Sequence, residues 1–269
     1  MTGIPFPSFD PVALSIGPLH IRWYGLAYLA GFLGGWFYAG WLADRDRDRR
    51  PNREDIDNLL PLLVMGVILG GRMGYVLFYN LDIYLAHPLD MLKIWEGGMS
   101  FHGGLLGVVT AIVAYAWRHK ISPVAIGDII ATVAPIGLFF GRIANFINGE
   151  LYGRITHVPW AVIFPRGHDM PRHPSQLYEA FLEGVCLFTV MFLLARNATI
   201  RRTHGILFGV FLIGYGLCRS FVEYFREPDE QIGFIFQYFS MGQLLSLPMI
   251  IIGAVVILYA RKKKTYPIR

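Results

Sequence analysis

GILFGVFLIGYGLCRSFVEYF, residues 205–225, decides the fold: an apolar run long enough to cross a membrane, carrying an arginine and a glutamate near one end. At 1.5 Å rise per residue about 20 residues span a hydrocarbon core roughly 30 Å thick. Similar runs recur at about 23–42, 59–79, 99–117, 124–146, 176–195 and 239–260. The expected fold is an all-α polytopic membrane protein, a bundle of about seven transmembrane helices forming one integral-membrane domain over 1–269. Composition agrees: 54% of the chain is hydrophobic and only 16% charged, against roughly 25% charged in an average soluble domain. The net charge of +5 sits in short basic blocks between apolar runs, which points to membrane anchoring and away from nucleic acid.

An odd number of spans puts the termini on opposite sides. With the N-terminus outside, the inner segments hold Arg45, Arg47, Arg49, Arg50, Arg53, Arg118, Lys120, Arg196, Arg201, Arg202, Arg261, Lys262, Lys263, Lys264 and Arg269. The outer segments hold Arg22, Lys93, Arg154, Arg166, Arg172 and Arg226. The excess inside favours N-out, C-in. No Lys or Arg precedes Arg22, so a cleavable signal peptide's charged leader is missing and the first span is expected to stay.

The outer segments 1–22, 80–98, 147–175 and 226–238 are expected to form a small head and arms. Residues 1–22, with a Gly17-Pro18 turn, suit a hairpin. Leu89, Leu92 and Trp95 fall on one helical face, as in a short helix lying on the membrane surface. Trp160–Phe164 reads as a strand. Cys186 and Cys218 lie inside apolar runs and suggest packing rather than a disulfide framework.

Arg72, Arg142 and Arg219 lie within spans, and each arginine at the bilayer centre costs about 2.5–3.5 kcal/mol on insertion scales. Asn145 follows Arg142 by three, on the same helical face, and Tyr215, Arg219, Glu223 and Arg226 form one stripe. Counting Glu223 as the one acid within a span leaves a surplus of positive charge, which calls for an anionic ligand such as a phospholipid headgroup in an outward-facing pocket. His102 opens the third span; imidazole is the side chain whose charge changes between pH 5 and 8, which suits proton removal. Ser100 with His102 lacks the nucleophile elbow of a serine hydrolase. Asp128, nearer the inner end of the fourth span, suits a cap or helix contact. His87, His157, His168 and His173 show no metal-ligand spacing.

Residues 141–153, GRIANFINGELYG, closely resemble the signature of the prolipoprotein diacylglyceryl transferase family. Phe101-His102-Gly103-Gly104, the run Arg172 to Glu179, and Tyr215, Arg219, Glu223, Tyr224, Phe225, Arg226, Pro228 and Asp229 also fit its pattern. The resemblance implies a bacterial inner-membrane enzyme with a periplasmic N-terminus and an active site facing the periplasm. It implies transfer of the diacylglyceryl group of phosphatidylglycerol to the lipobox cysteine of a prolipoprotein, with neither metal nor cofactor. It further implies catalytic roles for His102, Arg142, Tyr215 and Arg219, and substrate-binding roles for Tyr24, Asn145, Glu150 and Gly153. The charge argument adds Arg72 and Glu223 to the binding set. Two other classes stay open on the residues alone: an anionic-lipid or anion transporter with an arginine-lined cavity, and a lipid-binding scaffold without turnover.

Overall fold

The computed structural model describes residues 3–7, 9–17, 19–227, 234–235 and 239–262. Pro18, Pro228, Asp229 and the basic tail residues Lys263, Lys264 and Arg269 lie outside the described residues. In chain order the elements are β1 (Ile4–Pro5), β2 (Val12–Ile16), β3 (Leu19–Arg22), α1 (Trp23–Arg45), α2 (Arg53–Tyr79) and α3 (Leu81–Ala86). The 3₁₀ turns Pro88–Leu92 and Ile94–Glu96, α4 (Phe101–His119), α5 (Pro123–Ile147), β4 (Val162–Ile163) and β5 (Pro171–Arg172) come next. Then follow α6 (Ser175–Glu179), a π-helical turn Ala180–Cys186, α7 (Leu187–Arg196), α8 (Ala198–Arg202), α9 (Ile206–Val222), β6 (Phe234–Ile235), β7 (Phe239–Ser240) and α10 (Met241–Lys262).

Every apolar run read from the sequence carries a helix. Five helical stretches are long and apolar enough to cross a membrane: Trp23–Arg45, Arg53–Tyr79, Pro123–Ile147, Met241–Lys262 and Ser175–Arg196, in which α6, the π turn and α7 run on without a break. The apolar α9 has 17 residues and α4 has 19. Beside a buried apolar core, the burial pattern departs from that of a water-soluble domain. Phe37, Leu69, Phe78, Leu106 and Trp117 are exposed, whereas Arg72, Asn145, Glu179, Glu183 and Glu223 are buried. Lipid solvates the first group; the second must satisfy itself inside the protein or on a ligand.

The chain divides into two compact units, 39–127 and the remainder, with the boundaries inside α1 and at the start of α5. Within 39–127, α2 and α4 meet along glycines. A Cβ on Gly70 would sit 2.9 Å from the Gly107 Cα, and one on Gly74 2.7 Å from the Gly103 Cα. Such small faces bring backbones together where lipid offers no hydrophobic drive for helix association. The start of α2 is a capping box, with Asn52 and Asp55 exchanging side-chain-to-backbone bonds. The buried Asp55 also takes the guanidinium of Arg50 and, at 3.0 Å, the Tyr115 hydroxyl of α4.

The expected surface helix around 86–98 is instead a pair of 3₁₀ turns. Pro88 enters the first and Lys93 separates the two outside helical geometry. Leu89, Leu92 and Trp95 recur every three residues, the 3₁₀ period, and all are exposed.

In the other unit β2 and β3 pair as an antiparallel hairpin with Gly17 at φ 58°. β4 is central in a three-stranded sheet, parallel to β1 and antiparallel to β5. Phe6 lies 5.6 Å from the Phe146 ring and 5.3 Å from the buried Phe164, fastening this sheet to the end of α5. Asp128 accepts from the backbone of Gly205 at 2.7 Å and Phe208 at 2.8 Å. It thereby caps α9, whose entry residue Gly205 sits at φ 99°.

Candidate functional site: a buried arginine–carboxylate cluster

α5, the α6–π–α7 helix and α9 each bring charged groups to one cluster. Arg142 of α5 places Nη1 at 3.3 Å from Glu179 Oε2 and Nη2 at 3.5 Å from Glu183 Oε2. Arg219 of α9 pairs with Glu179 Oε1 and with Glu223 Oε1. Arg226 Nη1 reaches Glu179 Oε1 at 3.2 Å, and its Nε lies 3.9 Å from Glu223 Oε1. Glu179 is therefore shared by three guanidinium groups from two helices and the turn after α9, and holds them in register. Tyr215 lies one turn before Arg219 within electrostatic range of Arg142, Glu179 and Glu183.

These contacts overturn the charge count made from the sequence. Glu179 and Glu183 lie inside the 176–195 run and are fully buried, so Glu223 is not the one intramembrane acid. Among the described residues, three carboxylates face Arg142, Arg219 and Arg226. The sequence carried the signal: two glutamates four apart, on one face of an apolar run. The arginines keep some accessibility, 17% for the Arg142 side chain and 15% for Arg219. A guanidinium has five N–H donors, so both can take a further acceptor.

The 145–153 stretch forms a second polar layer. Asn145 donates to Glu150 Oε1 at 2.8 Å, and Gln176 donates to the Glu150 carbonyl at 2.6 Å. The Tyr24 hydroxyl meets Tyr28 at 3.4 Å and also interacts with Asn145 and Glu150. Gly153 is held by backbone on both sides: its N–H donates to His173 O at 2.8 Å and it bridges to Arg226. A Cβ there would come within 2.8 Å of His173 Cβ, so glycine lets the two strands of chain close. Arg154, missed in the sequence, donates to the carbonyls of Arg226 at 2.8 Å and Glu223 at 3.1 Å, tying this layer to the end of α9. His173 Nδ1 lies 3.1 Å from the Tyr178 hydroxyl, and burial pushes its imidazole below the ordinary range.

Tyr24, Arg142, Asn145, Glu150, Gly153, Tyr215, Arg219 and Glu223 thus belong to one unit. Arg72 and His102 belong to the other. Arg72 is spent on backbone: Nε donates to Met91 O at 2.9 Å, Nη1 to Gly97 O at 2.6 Å, and Nη2 to Asp90 O at 2.6 Å. Each guanidinium nitrogen is thus engaged by backbone, and Arg72 holds the 88–98 segment. Next to it Lys93, 2.6 Å from Asp90, holds that carboxyl below its usual range. His102 is exposed on the first turn of α4. Ser100 caps that helix by accepting from Gly103 N at 3.2 Å.

The fold and this cluster define an α-helical membrane protein with a shared arginine–carboxylate site built on three helices. A family model described as Prolipoprotein diacylglyceryl transferase matches residues 11–259. Proteins named phosphatidylglycerol–prolipoprotein diacylglyceryl transferase are 57% identical in Azospirillum brasilense, covering 98% of each chain, and 57% in Rhodospirillum centenum, covering 97% of this chain and 95% of the relative. The Vibrio cholerae protein of that name is 52% identical over 98% of this chain and 96% of its own. This chain belongs to the prolipoprotein diacylglyceryl transferase family.

Proposed function

We propose that this chain is a transferase that moves the diacylglyceryl group of phosphatidylglycerol onto the lipobox cysteine of prolipoproteins. Sulfur bonds to the glyceryl carbon, the carbon–oxygen bond to phosphate breaks, the thiol loses its proton, and glycerol phosphate departs. The observation that carries this reading is the pairing of Arg142 and Arg219 through one buried carboxylate, in a chain 50–57% identical to proteins named for the reaction. Glu179 sets the two guanidinium groups on a common partner and leaves each with free donors. A phosphate oxygen that gains charge as the carbon–oxygen bond breaks is best stabilised by such preorganised donors. A positive-charge surplus is not needed: the arginines act by direction and spacing.

Tyr215 lies beside the leaving group's binding position, Glu223 orients Arg219, and Asn145 with Glu150, Tyr24 and Gly153 shapes the adjoining glycerol or peptide site. His102 takes the thiol proton or orients the group that does. The substrate brings its own nucleophile, so neither Cys186 nor Cys218 is required. α4 and α9 complete a seven-span bundle in a bacterial inner membrane, N-terminus and active site on the periplasmic side, as the Lys and Arg distribution favours. An alkaline-phosphatase fusion after Arg269 is expected to be inactive; an active one reverses the orientation.

The central test incubates purified protein with headgroup-labelled and acyl-labelled phosphatidylglycerol and a lipobox peptide. A thioether-linked diacylglyceryl peptide and released glycerol phosphate in equal amounts are expected. Lipid movement across a vesicle without that product overturns the assignment.

A further inference from the structure

Glu183 is the odd member of the cluster. Glu179 is gripped by Arg142, Arg219 and Arg226, and Glu223 by Arg219 and Arg226. Glu183 is fully buried, yet its one ion-pair partner among the described residues is Arg142 Nη2 at 3.5 Å, the long end of a hydrogen bond. Its other oxygen, Oε1, is buried there with neither a hydrogen bond nor an ion pair, whereas the buried oxygens of Glu179 (Oε2) and Glu223 (Oε1) that lack a hydrogen bond each face a guanidinium. A carboxylate taken from water and left half satisfied is costly. Its position is also unusual: it lies in the π-helical turn Ala180–Cys186, where the helix is wound wide.

We infer that Glu183 is the exchangeable counter-ion of Arg142: it holds the guanidinium in the empty site and gives it up to an anionic phosphate, taking one proton as it does so. This rests on the reading of Arg142 as a phosphate ligand. The physical argument is one of crowded like charges. A phosphate approaching Arg142 brings a third anion to a guanidinium already facing Glu179 and Glu183. In a low-dielectric site two or more anions on one cation cannot all stay ionised cheaply, and one carboxyl is protonated instead. The groups facing Glu183 are Arg142 from α5, Glu179 one turn earlier, and Tyr215, Cys218 and Arg219 from α9. Of the two carboxyls in that set, Glu179 is locked by three arginines, which leaves Glu183 as the group that yields. As the neutral acid its Oε2 no longer competes for Arg142 Nη2. Glu183 is a positioning residue, acting through Arg142 and not on the reacting atoms.

The consequence is proton-linked binding with a defined sign. A phosphodiester headgroup keeps one charge across the working range, so the lipid itself contributes no titration. Affinity is highest in acid, where Glu183 already carries its proton. As pH rises between the free and bound values of Glu183, affinity falls by up to tenfold per pH unit, and it levels off above both. The test titrates phosphatidylglycerol into the full-length protein held in phosphatidylcholine nanodiscs. Affinity is read across pH, and proton uptake by calorimetry in buffers of different ionisation enthalpy.

At a pH between the free and bound values of Glu183, wild type is expected to take up close to one proton per lipid bound, and below both values none. Glu183→Gln is expected to bind with an affinity flat in pH, and Glu183→Asp to recover the slope. On lipid addition, a carboxylic-acid C=O band should grow in the infrared spectrum of wild type and be missing in Glu183→Gln. If wild type takes up no proton, or Glu183→Gln keeps the wild-type slope, the inference is overturned. If Glu183→Gln does not fold, proton uptake by wild type and Glu183→Asp still decides. The two readings separate on Arg142→Lys. Undiminished lipid binding by that variant removes the phosphate clamp and this inference together. Lost binding, with no proton uptake in wild type, removes only the role of Glu183.

Discussion

Gly71-Arg72 and Gly141-Arg142 are the same dipeptide near the ends of two long helices, yet the two guanidinium groups end in different chemistry. Arg72 is surrounded by backbone carbonyls of Asp90, Met91, Gly97 and Gly98 and stands 5.2 Å over the Tyr84 ring. Arg142 ends on carboxylates, Glu179 and Glu183. Carbonyls cannot take up a proton or move independently of the chain, so an arginine held by them becomes a fixed fastening for a loop. Carboxylates can be neutralised and can share or surrender a cation. The cost of placing a guanidinium in a membrane is met in both cases; only the second arrangement leaves it negotiable. An intramembrane arginine is therefore a functional candidate only once its partners are known.

The sharpest way to break this contrast is to replace each arginine with lysine, which keeps charge but loses the planar fork. Arg142→Lys and Arg219→Lys are expected to lower kcat by about 100- to 1,000-fold, the scale for removing one preorganised donor, while thermal melting moves little. Wild-type rates in both variants would end the clamp assignment, and a collapse in melting temperature would make these arginines structural. Arg72→Met should show the reverse balance. Stranding its carbonyls is expected to cost about 1–3 kcal/mol of stability for each buried group left unpaired. Limited proteolysis should then cut within 88–98 in the variant and not in wild type. A kcat loss as deep as that of Arg142→Lys, with melting unchanged, would put Arg72 back among the substrate ligands.

A smaller effect is expected at Asp128, which sits in the same unit as Arg142 but serves backbone N–H groups as carbonyls serve Arg72. Asp128→Ala removes the cap of α9 and should cost about 0.5–2 kcal/mol in chemical denaturation; a stability change outside that range would mean its role is not capping. The mildest prediction concerns His173. Because burial lowers its folded-state pKa, its protonation favours the unfolded chain. Stability should thus be full above the ordinary imidazole pKa near 6.5 and decline as pH falls toward the depressed value. His173→Gln should flatten that decline when melting is followed from pH 8 to 5; an unchanged pH profile would assign the decline to another group.

Much of the fold was legible because lipid imposes a simple rule: every apolar run long enough to span carries a helix. Of the Trp160–Phe164 run read as a strand only Val162–Ile163 is one, with Trp160 in a turn; the hairpin before Trp23 was legible from alternation and turn residues. The 88–98 segment misled because a three-residue apolar spacing fits both an α-helical face and a 3₁₀ row, and only Pro88 and the break at Lys93 tell them apart. At the site, Arg142, Arg219 and Glu223 stood out as charges in apolar runs, as did the stripe they share with Tyr215. Glu179 and Glu183 carried the same mark but went uncounted, because Glu179 sits five residues into its helical stretch and reads as its solvated edge. The carbonyl partners of Arg72 could not be read at all: a backbone acceptor has no letter in the sequence.

The π turn between α6 and α7 has a genetic consequence. Upstream, the stretch directs Glu179 toward Arg142 and Arg219; downstream, it turns Phe188 and Phe192 onto Tyr38 of α1, at ring separations of 5.4 and 6.1 Å. A wide turn of this kind takes in an extra residue while leaving the helix on either side in phase; forcing the same residues into regular α winding, at about 100° per residue, would turn one end about that far from the other. Either the carboxylates or the aromatic face would then point away from its partner, although every chemical group is still present. A one-residue deletion within this window, which lets the turn close to regular winding, should be tolerated better than a one-residue insertion there or a deletion in the α-helical segments on either side.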